Sequence, residues 1–421
     1  MLKGSFVYFL LSYFLLISCV HKKDIFYAND FKNKEKDKKR VLIYYNQSGG
    51  AHVSTTKAIE ESLGDCFEVM TVNFSNAYFD KGSFISWASR GKYGTDYWYN
   101  KMLKGDDISL LNFLVGNIIP VALKNKHKKL VAQLKKDISE IDPDLIISTI
   151  PMVNGFIGTV AEDLQKPFLI TALDADPTNW AFGLENYSYN RFLYVSTIYS
   201  SYSSLKLKAF GFKGNQIASA PYPIRDAFFH QYSREVERKE LGIPEDAFVL
   251  MLLMGGAGSS KIVRYADIIS RKFPEIYILA CVGNSLNLKK KLARYARLRR
   301  VKVIGFTTKI PEIMISSDVI LTKPGPTTIM EALASRLPLM IDGISKHMLH
   351  EKAHLDFVLN NNFGLDFSSR DTLLSVISNF SKKEVVYKNI KENMSAYHLG
   401  DFRIEFKKLV EKFLLDSLVK Q

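Results

Sequence analysis

The sequence is poor in cysteine and lacks the spacings that hold metal ions. Its 421 residues include three cysteines, Cys19, Cys66 and Cys281, with no C-x-x-C pair and no cysteine–histidine ligand spacing. Three such thiols do not make a disulfide framework, which favours a reducing compartment for the body of the chain. We expect no structural metal and no cofactor. An internal repeat of solenoid period is also absent from the sequence.

Acidic residues are in deficit as well. The chain has 57 lysines and arginines against 43 aspartates and glutamates, a formal net charge of +14. This excess favours an anionic partner, such as nucleic acid, an acidic membrane surface or a phosphorylated ligand. Nucleic acid has no motif in its favour beyond charge, so we do not expect it as a partner. A hydrophobic content of 47% excludes wholesale disorder, and the length fits about two to three domains.

One long apolar run opens the chain. Residues 4–20 are uncharged and follow Lys3 alone, a run slightly short for a bilayer span and longer than a typical signal core. Residues 16–19, Leu-Ile-Ser-Cys, resemble a bacterial lipobox, in which Cys19 becomes lipidated. Residues 21–40 carry eight lysines and arginines against four acidic residues, which by the positive-inside rule holds the following chain in the cytoplasm. We expect a membrane anchor with a cytoplasmic body, at the inner leaflet; an exported lipoprotein is the alternative.

Short apolar runs separated by helix-length segments follow this leader. Ten of them are typical of strands buried in a parallel sheet: residues 40–45, 67–72, 145–148, 168–171, 192–195, 248–253, 276–280, 301–304, 319–321 and 337–341. Their alternation with helical segments indicates βαβ units. The predicted fold class is α/β, with two doubly wound, Rossmann-like domains facing each other.

The two series of strands meet near residue 225. We expect a hydrophobic leader and basic tether over residues 1–39 and an N-terminal domain over residues 40–225. A C-terminal domain over residues 226–385 and C-terminal helices over residues 386–421 complete the predicted organisation.

A glycine turn follows the first predicted strand. Residues 46–52, Asn-Gln-Ser-Gly-Gly-Ala-His, place Gly49 and Gly50 before a predicted helix and His52 at its start. Glycines let the backbone approach a ligand, and open α/β sheets bind ligands at the carboxyl ends of their strands. An imidazole there can take a proton from a hydroxyl near neutral pH. The alternative is a histidine that only caps the helix.

A second glycine turn follows the first strand of the second series. Residues 254–260, Met-Gly-Gly-Ala-Gly-Ser-Ser, include Gly255 and Gly256. Glycine-rich turns between a strand and a helix cradle phosphate through backbone N–H groups and the helix dipole. The segment lacks the Gly-Lys-Ser/Thr ending of a Walker loop. A tight turn without a ligand is the alternative.

The strongest signal lies in residues 322–333, Thr-Lys-Pro-Gly-Pro-Thr-Thr-Ile-Met-Glu-Ala-Leu. Proline and glycine fix a turn after a strand, and Thr327 and Thr328 can cap the next helix while offering hydroxyl donors. Glu331 falls early in that helix, where a carboxylate can accept both hydroxyls of a ribose. A carboxylate that only complements the helix dipole is the alternative.

Two basic stretches complete the pattern. Residues 124–136 are lysine-rich and follow the apolar residues 110–123, a combination that suits a surface entering anionic lipid headgroups. Residues 289–300 are typical of an amphipathic surface helix. For each stretch the alternative is a charged face that is only solvated.

Together these segments resemble the monogalactosyldiacylglycerol synthase / processive diacylglycerol glucosyltransferase family, relatives of the bacterial transferase that adds N-acetylglucosamine to lipid I. The match covers roughly residues 40–380. Residues 174–180 resemble an acceptor-side Pro-Thr-Trp element, and residues 223–228 resemble an interdomain Pro-Ile-Arg segment. Residues 283–284 and 303–306 resemble the run that flanks the nucleotide base.

The resemblance implies a GT-B fold with a nucleotide-sugar in the cleft between its domains, and no catalytic metal. It implies an enzyme that transfers galactose or glucose from UDP-galactose or UDP-glucose to diacylglycerol at an anionic membrane surface. Two alternatives remain: transfer to another lipid, such as a sterol or a polyprenyl-linked precursor, and an exported, lipid-anchored binding protein with a degenerate transferase fold. An exported body would lack UDP-sugar, so intact donor motifs favour the enzyme.

The resemblance also assigns roles to individual residues. His52 corresponds to the base that deprotonates the acceptor. The residues assigned to the donor are Gly255, Gly256, Ser259, Gly305, Phe306, Pro326, Thr327, Thr328, Glu331 and Glu351. The residues assigned to the acceptor side are Gly49, Gly50, Asp174, Asp176 and Trp180. The sequence departs from the family pattern at Ala51, Ile150, Asn179 and His350, which leaves the acceptor open.

Overall fold

The computed structural model describes most of the chain: residues 38–47, 51–80, 94–104, 108–255, 258–295 and 298–419. The predicted leader, the lipobox and nearly all of the basic tether lie outside these residues. So do Gly49, Gly50 and Gly256 of the two predicted glycine turns.

Six parallel strands form the sheet of the N-terminal domain. They are β1 (Lys39–Tyr45), β2 (Phe67–Asn73), β3 (Leu145–Ser148), β4 (Phe168–Ala172), β5 (Phe192–Ser196) and β6 (Ile217–Ser219). Their order in the sheet is β2-β1-β3-β4-β5-β6. The helices between them are α1 (Ala51–Leu63), α2 (Thr95–Lys104), α3 (Ile108–Phe113), α4 (Ile119–Ile141), α5 (Asn154–Asp163) and α6 (Ser200–Ala209). Short π-helical segments, Ser75–Asp80 and Leu114–Ile118, follow β2 and α3.

The C-terminal domain repeats the design. Its strands are β7 (Val249–Leu253), β8 (Tyr277–Gly283), β9 (Val301–Gly305), β10 (Val319–Thr322), β11 (Leu339–Asp342) and β12 (Gly364–Phe367), in the order β12-β11-β10-β7-β8-β9. Its helices are α7 (Arg234–Glu240), α8 (Lys261–Lys272), α9 (Leu286–Leu292), α10 (Ile310–Ser316), α11 (Pro326–Ala334), α12 (Glu351–Asn360), α13 (Arg370–Ser381) and α14 (Val385–Ala396). Two facing, doubly wound α/β domains are therefore confirmed.

The predicted strands are continuous apolar runs because helices cover both faces of each sheet. Val41, Leu42, Ile43 and Tyr44 of β1 are all completely buried. The sequence analysis missed two edge strands. β6 has three residues, and none of them is fully buried. β12 contains an exposed Asp366 and therefore does not form an apolar run.

The strand order places one crevice in each sheet at an equivalent position. In the first sheet β1 lies between β2 and β3, and in the second β7 lies between β8 and β10. Successive connections leave in opposite directions at these points, and parallel α/β sheets bind ligands there, beyond the carboxyl ends of the strands. The turns after β1, β7 and β10 are the three segments that the sequence analysis singled out.

The last helix, α15 (Phe402–Val419), returns to the N-terminal domain. Phe402, Phe406 and Val410 are fully buried in a hydrophobic cluster that also contains Val41 and Ile59. By its contacts this helix belongs to the first domain, whereas α14 packs against the second.

Within the part of the chain that the structure describes, no single helix is long and apolar enough to cross a membrane. One pair of helical segments, Ile108–Lys124 and Lys128–Ile141, has the length and composition of a membrane span when the two segments are taken together. The two segments meet at an angle of 77°.

Candidate active site

A cavity of about 950 Å³ lies between the two domains, at the carboxyl ends of both sheets. Its walls bring together predicted residues that are far apart in the sequence: His52, Asp174, Gly255, Ser259, Gly305, Phe306, Pro326, Thr327, Thr328, Glu331 and Glu351. Residues assigned to the donor and to the acceptor thus face the same space.

His52 stands at the second position of α1. Its Nδ1 lies 2.9 Å from the backbone carbonyl oxygen of Thr149, just after β3. That carbonyl can only accept, so Nδ1 carries the proton and Nε2 keeps a lone pair. A capping side chain would accept hydrogen bonds from the first N–H groups of its own helix. The His52 ring instead donates to a carbonyl at the end of a neighbouring strand. Burial lowers the pKa of His52, so the ring is neutral at pH 7.

Asp174 lies in the same wall, next to two other side chains. Trp180 Nε1 donates a hydrogen bond to its Oδ2 at 2.9 Å, and His354 Nε2 lies 3.6 Å from its Oδ1. Burial works to raise the pKa of Asp174. The nearby imidazoles of His350 and His354, with the Trp180 N–H, outweigh burial and hold the pKa below its ordinary value. A carboxylate that stays ionised here favours positive charge on His52.

Two predicted acceptor-side residues stand behind the wall. Trp180 is completely buried, and its indole N–H orients the Asp174 carboxylate, which lines the cavity. Asp176 accepts hydrogen bonds from Thr178 and from Lys206 Nζ at 2.8 Å, and it does not line the cavity. Both residues therefore support the acceptor-side loop and do not contact the space where a ligand would lie.

The turn after β7 requires glycine at its described positions. Gly255 has φ of +81° and Gly258 has φ of +73°, backbone conformations that favour glycine. A Cβ on Gly258 would lie 2.8 Å from the carbonyl oxygen of Val282. Ser259 follows, is nearly buried and lines the cavity just before α8. This turn brings backbone and the start of a helix to the cavity, as a phosphate site needs.

The turn after β10 leads into α11. Gly325 is its N-cap and Pro326 its first residue, and no side chain caps this N-terminus among the described residues. The prediction that Thr327 or Thr328 caps the helix is therefore wrong. The first N–H groups of a helix have no acceptor within it, so those of Thr327 and Thr328 are available to an anion in the cavity. Thr327 Oγ1 lies 2.9 Å from the hydroxyl of Tyr222, in the segment that joins the domains.

Two carboxylates on this side are held by cations. Glu331 Oε1 accepts hydrogen bonds from Arg225, and burial raises the pKa of Glu331 despite this partner. Glu351 is paired with Lys323 and also accepts the backbone N–H of Met348 at 3.0 Å. Burial opposes ionisation of Glu351, but Lys323 lowers its pKa to about 2.

Sequence reasoning missed several residues of the site. Lys323 directly precedes the Pro-Gly-Pro turn, and this position at the end of a strand is a signal for a cation at the cavity. Thr149 supports His52 only through its backbone carbonyl. Arg225 stood in a recognised segment, but no sequence pattern shows that its partner is Glu331.

The remaining wall of the cavity is apolar. It is formed by side chains from the helical region after β2 and from the loop after β3: Phe79, Ile108, Val115, Ile119, Ala122, Leu123, Met152 and Val153. Met348, from the C-terminal domain, packs into a cluster with Met102, Ile108 and Leu111. The cavity therefore combines a polar floor with an apolar wall, which suits one polar and one amphipathic ligand.

The fold is that of GT-B glycosyltransferases. Over 89% of this chain and 99% of the other, it resembles the crystal structure of MurG from Acinetobacter baumannii, with a TM-score of 0.58 and 14% sequence identity. Residues 249–394, which include the glycine turn, the donor turn and Glu351, match the glycosyltransferase family 28 C-terminal domain.

Sequence comparison confirms the resemblance drawn from the motifs. The chain is 24% identical over 375 residues to the chloroplastic monogalactosyldiacylglycerol synthase of Spinacia oleracea, covering 81% of this chain and 66% of that protein. It is 23% identical over 372 residues to the processive diacylglycerol beta-glucosyltransferase of Bacillus pumilus, covering 86% of this chain and 91% of that one. The chain thus spans about two thirds of the plant relative and nine tenths of the bacterial one.

Proposed function

We propose that this protein is a glycosyltransferase that moves galactose or glucose from a UDP-sugar to the free hydroxyl of diacylglycerol, forming a membrane glycolipid. The names of the two relatives given above describe glycosyl transfer of this kind. The observation that carries the proposal is the placement of His52 in one cavity with the N-terminus of α11 and an apolar wall. A base, an anion site and a lipid-compatible surface then meet at one point.

The chemical step follows from the tautomer of His52. The hydroxyl of the acceptor attacks the anomeric carbon of the sugar, and its proton passes to Nε2 of His52. Nδ1 keeps its own proton and donates it in a hydrogen bond to the carbonyl oxygen of Thr149, which keeps the ring oriented during the transfer. The ionised Asp174 stabilises the imidazolium that forms. The bond from the anomeric carbon to the diphosphate oxygen breaks in the same displacement, which inverts the anomeric configuration.

The leaving UDP gains negative charge as that bond breaks. Backbone N–H groups at the start of α11 and in the glycine turn before α8 can stabilise this charge, because residues at both helix N-termini line the cavity. We assign Glu331 to the ribose hydroxyls and the exposed Phe306 to the base, since both residues line the cavity. In this account the protein needs no metal ion to hold the diphosphate.

The acceptor reaches the cavity from a membrane. Large apolar side chains are exposed on the helical region that forms the apolar wall: Tyr97 at 40%, Phe113 at 51% and Val121 at 60%. Lysines interleave with them, and Lys101 lies over the rings of Tyr97 and Trp98. Apolar groups beside lysines favour an anionic bilayer surface. We place this surface on the inner leaflet, since the donor is a cytoplasmic metabolite.

A transfer assay tests the proposal. The purified protein is incubated with radiolabelled UDP-galactose or UDP-glucose and anionic vesicles containing diacylglycerol, and the lipids are separated by chromatography. We expect label in a new glycolipid with one of the two donors, undiminished by EDTA. Vesicles containing a sterol or a polyprenyl phosphate in place of diacylglycerol form the matched controls. Label in lipid only with these acceptors, or in none, would contradict the proposal.

A further inference from the structure

Helix α12 runs from the donor side of the cavity to the N-terminal domain. At its first turn Glu351 pairs with Lys323. Further along, residues spaced three apart contact the other domain. His354 contacts the Asp174–Ala175 backbone, Phe357 packs against the ring of Tyr199 at 5.5 Å, and Asn360 Nδ2 donates to the Tyr199 hydroxyl at 3.0 Å. This helix is therefore an interdomain element as well as part of the donor site.

His354 is completely buried and has a partner on each ring nitrogen. Its Nδ1 lies 3.1 Å from the carbonyl oxygen of Pro324, which can only accept. Its Nε2 accepts the backbone N–H of Ala175 at 3.0 Å. A carbonyl on one side and an N–H on the other fix a neutral ring with its proton on Nδ1. No other tautomer or protonation state satisfies both groups.

The two partners of His354 belong to opposite sides of the reaction. Pro324 is in the turn that sets the N-terminus of α11, where the diphosphate is proposed to lie. Ala175 follows Asp174, the carboxylate that lines the cavity together with His52. The ring thus joins the donor turn to the acceptor-side loop through one hydrogen bond to each.

We propose that His354 is a positioning residue, whose hydrogen bond to Ala175 fixes the spacing between the Asp174–Ala175 segment and the C-terminal domain that carries the donor turn, and thereby aligns the attacking hydroxyl with the leaving diphosphate. The inference rests on the function proposed above. Without the ring nitrogen, the buried N–H of Ala175 has no acceptor, and the two sides separate until water supplies one. Small misplacements of this kind reduce the chemical step more than they reduce binding.

Other contacts keep the domains together when this one is lost. Tyr222 bonds to Thr327, and Arg225 to Glu331, near the segment that joins the domains. A His354 variant is therefore expected to fold with both domains still associated.

Two substitutions at this position separate the two hydrogen bonds. The amide of asparagine reaches the place of Nδ1, so His354→Asn keeps the bond to Pro324 and loses the bond to Ala175. The longer glutamine reaches the place of Nε2, so His354→Gln keeps the bond to Ala175, which crosses between the domains, and loses the bond to Pro324, which lies within the C-terminal domain and only orients the ring. Asn360→Ala is the matched control, because it removes an interdomain hydrogen bond from the same helix.

The measurements are kcat and KM for the donor, the Kd of UDP by calorimetry, and hydrogen exchange of the peptide containing Ala175. We expect His354→Asn to lower kcat at least about tenfold while the Kd of UDP stays within about twofold. Exchange at Ala175 should accelerate in this variant. His354→Gln and Asn360→Ala should keep kcat within about threefold of the unchanged protein and keep the amide protected.

Equal losses of kcat in the asparagine and glutamine variants would overturn the proposal, and so would an asparagine variant with full activity. A merely structural residue would lower the melting temperature in both variants without this difference. If the unchanged protein transfers no sugar, the proposed function fails by itself. Exchange at Ala175 still decides whether His354 joins the two domains, since exchange in all three variants as slow as in the unchanged protein would refute the contact.

Discussion

Arg225 donates two hydrogen bonds to a single oxygen of the Glu331 carboxylate, from Nη2 at 2.8 Å and from Nε at 3.2 Å. Arg225 lies in the segment that joins the domains, and the Glu331 side chain, on α11, is 7% exposed. Among the described residues, the second oxygen, Oε2, has no hydrogen-bond partner of its own. The pair therefore holds the carboxylate in the cavity wall and leaves acceptor capacity for a ligand.

Replacing Glu331 tests whether it binds ribose. Glu331→Ala should lower the affinity for UDP at least about tenfold, because one or two hydrogen bonds to a charged group are lost. Arg225→Gln is the control, since it breaks the ion pair and leaves the carboxylate. Calorimetry should show a smaller loss for Arg225→Gln than for Glu331→Ala. Equal losses would mean that the ion pair matters and the ribose contact does not exist.

His52→Asn tests the base without removing its local contact. An asparagine amide can still donate to the carbonyl of Thr149, so folding and UDP affinity should stay near those of the unchanged protein. Turnover should fall by about 10²–10⁴-fold, the usual contribution of a positioned general base. Steady-state rates and thermal melts are measured together. A variant that melts lower but turns over normally would show that His52 is structural, and Asp174 would then be the next candidate for the base.

The pH dependence of the rate follows from the burial of His52. Burial lowers the pKa of this ring below its ordinary value of 6.5, and the Asp174 carboxylate offsets only part of the effect. A base must be neutral, so kcat/KM should decline as the pH falls through the lowered pKa, with an acid midpoint below 6.5. A pH–rate profile with its acid midpoint at 6.5 or above would contradict this assignment.

Lys323→Met tests the pair with Glu351. Lysine holds the pKa of the buried carboxyl at about 2 instead of 4.5, so the ionised pair stabilises the fold above pH 4.5 and less as the pH falls further. Lys323 is 36% exposed, so we expect its loss to cost only about 1–2 kcal/mol at pH 7. Without lysine, burial raises the pKa of Glu351, and the cost should shrink at pH 5. Urea unfolding of both proteins at pH 7 and at pH 5 measures this loss of stability.

The exposed Lys352, next in sequence to Glu351, provides the control for that experiment. Lys352→Met changes the same net charge without touching the pair, and it should leave the free energy of unfolding nearly unchanged. A stability loss that is equal in the two variants, or that does not depend on pH, would show that the ion pair contributes nothing specific.

The sequence predicted those parts of the molecule that depend on local patterns. Strands such as Leu145–Ser148 appear as apolar runs because helices cover both sides of the sheet. The turns after β1, β7 and β10 were recognisable because glycine and proline mark places where the backbone changes direction. The short edge strand Ile217–Ser219 has no buried apolar run and was therefore missed.

Contacts between distant segments were not predictable in the same way. Phe406 of α15 is buried in a cluster with Ile43 of β1, yet no sequence pattern around either residue indicates that the two are in one cluster. The bond between His354 and Ala175 depends on how the two domains face each other. Sequence patterns located the ends of strands, whereas the partners of Glu331 and His354 required the arrangement of both domains.

The most direct test of the account is the stoichiometry of transfer. UDP released into the aqueous phase and hexose found in the lipid phase are measured in the same reaction, with vesicles that contain or lack diacylglycerol. The account predicts one UDP for each hexose in lipid, dependence of both on diacylglycerol, and the loss of both in His52→Asn. Release of UDP without hexose in the lipid phase, or at the same rate without diacylglycerol, would contradict the claim that the cavity transfers sugar to a lipid hydroxyl.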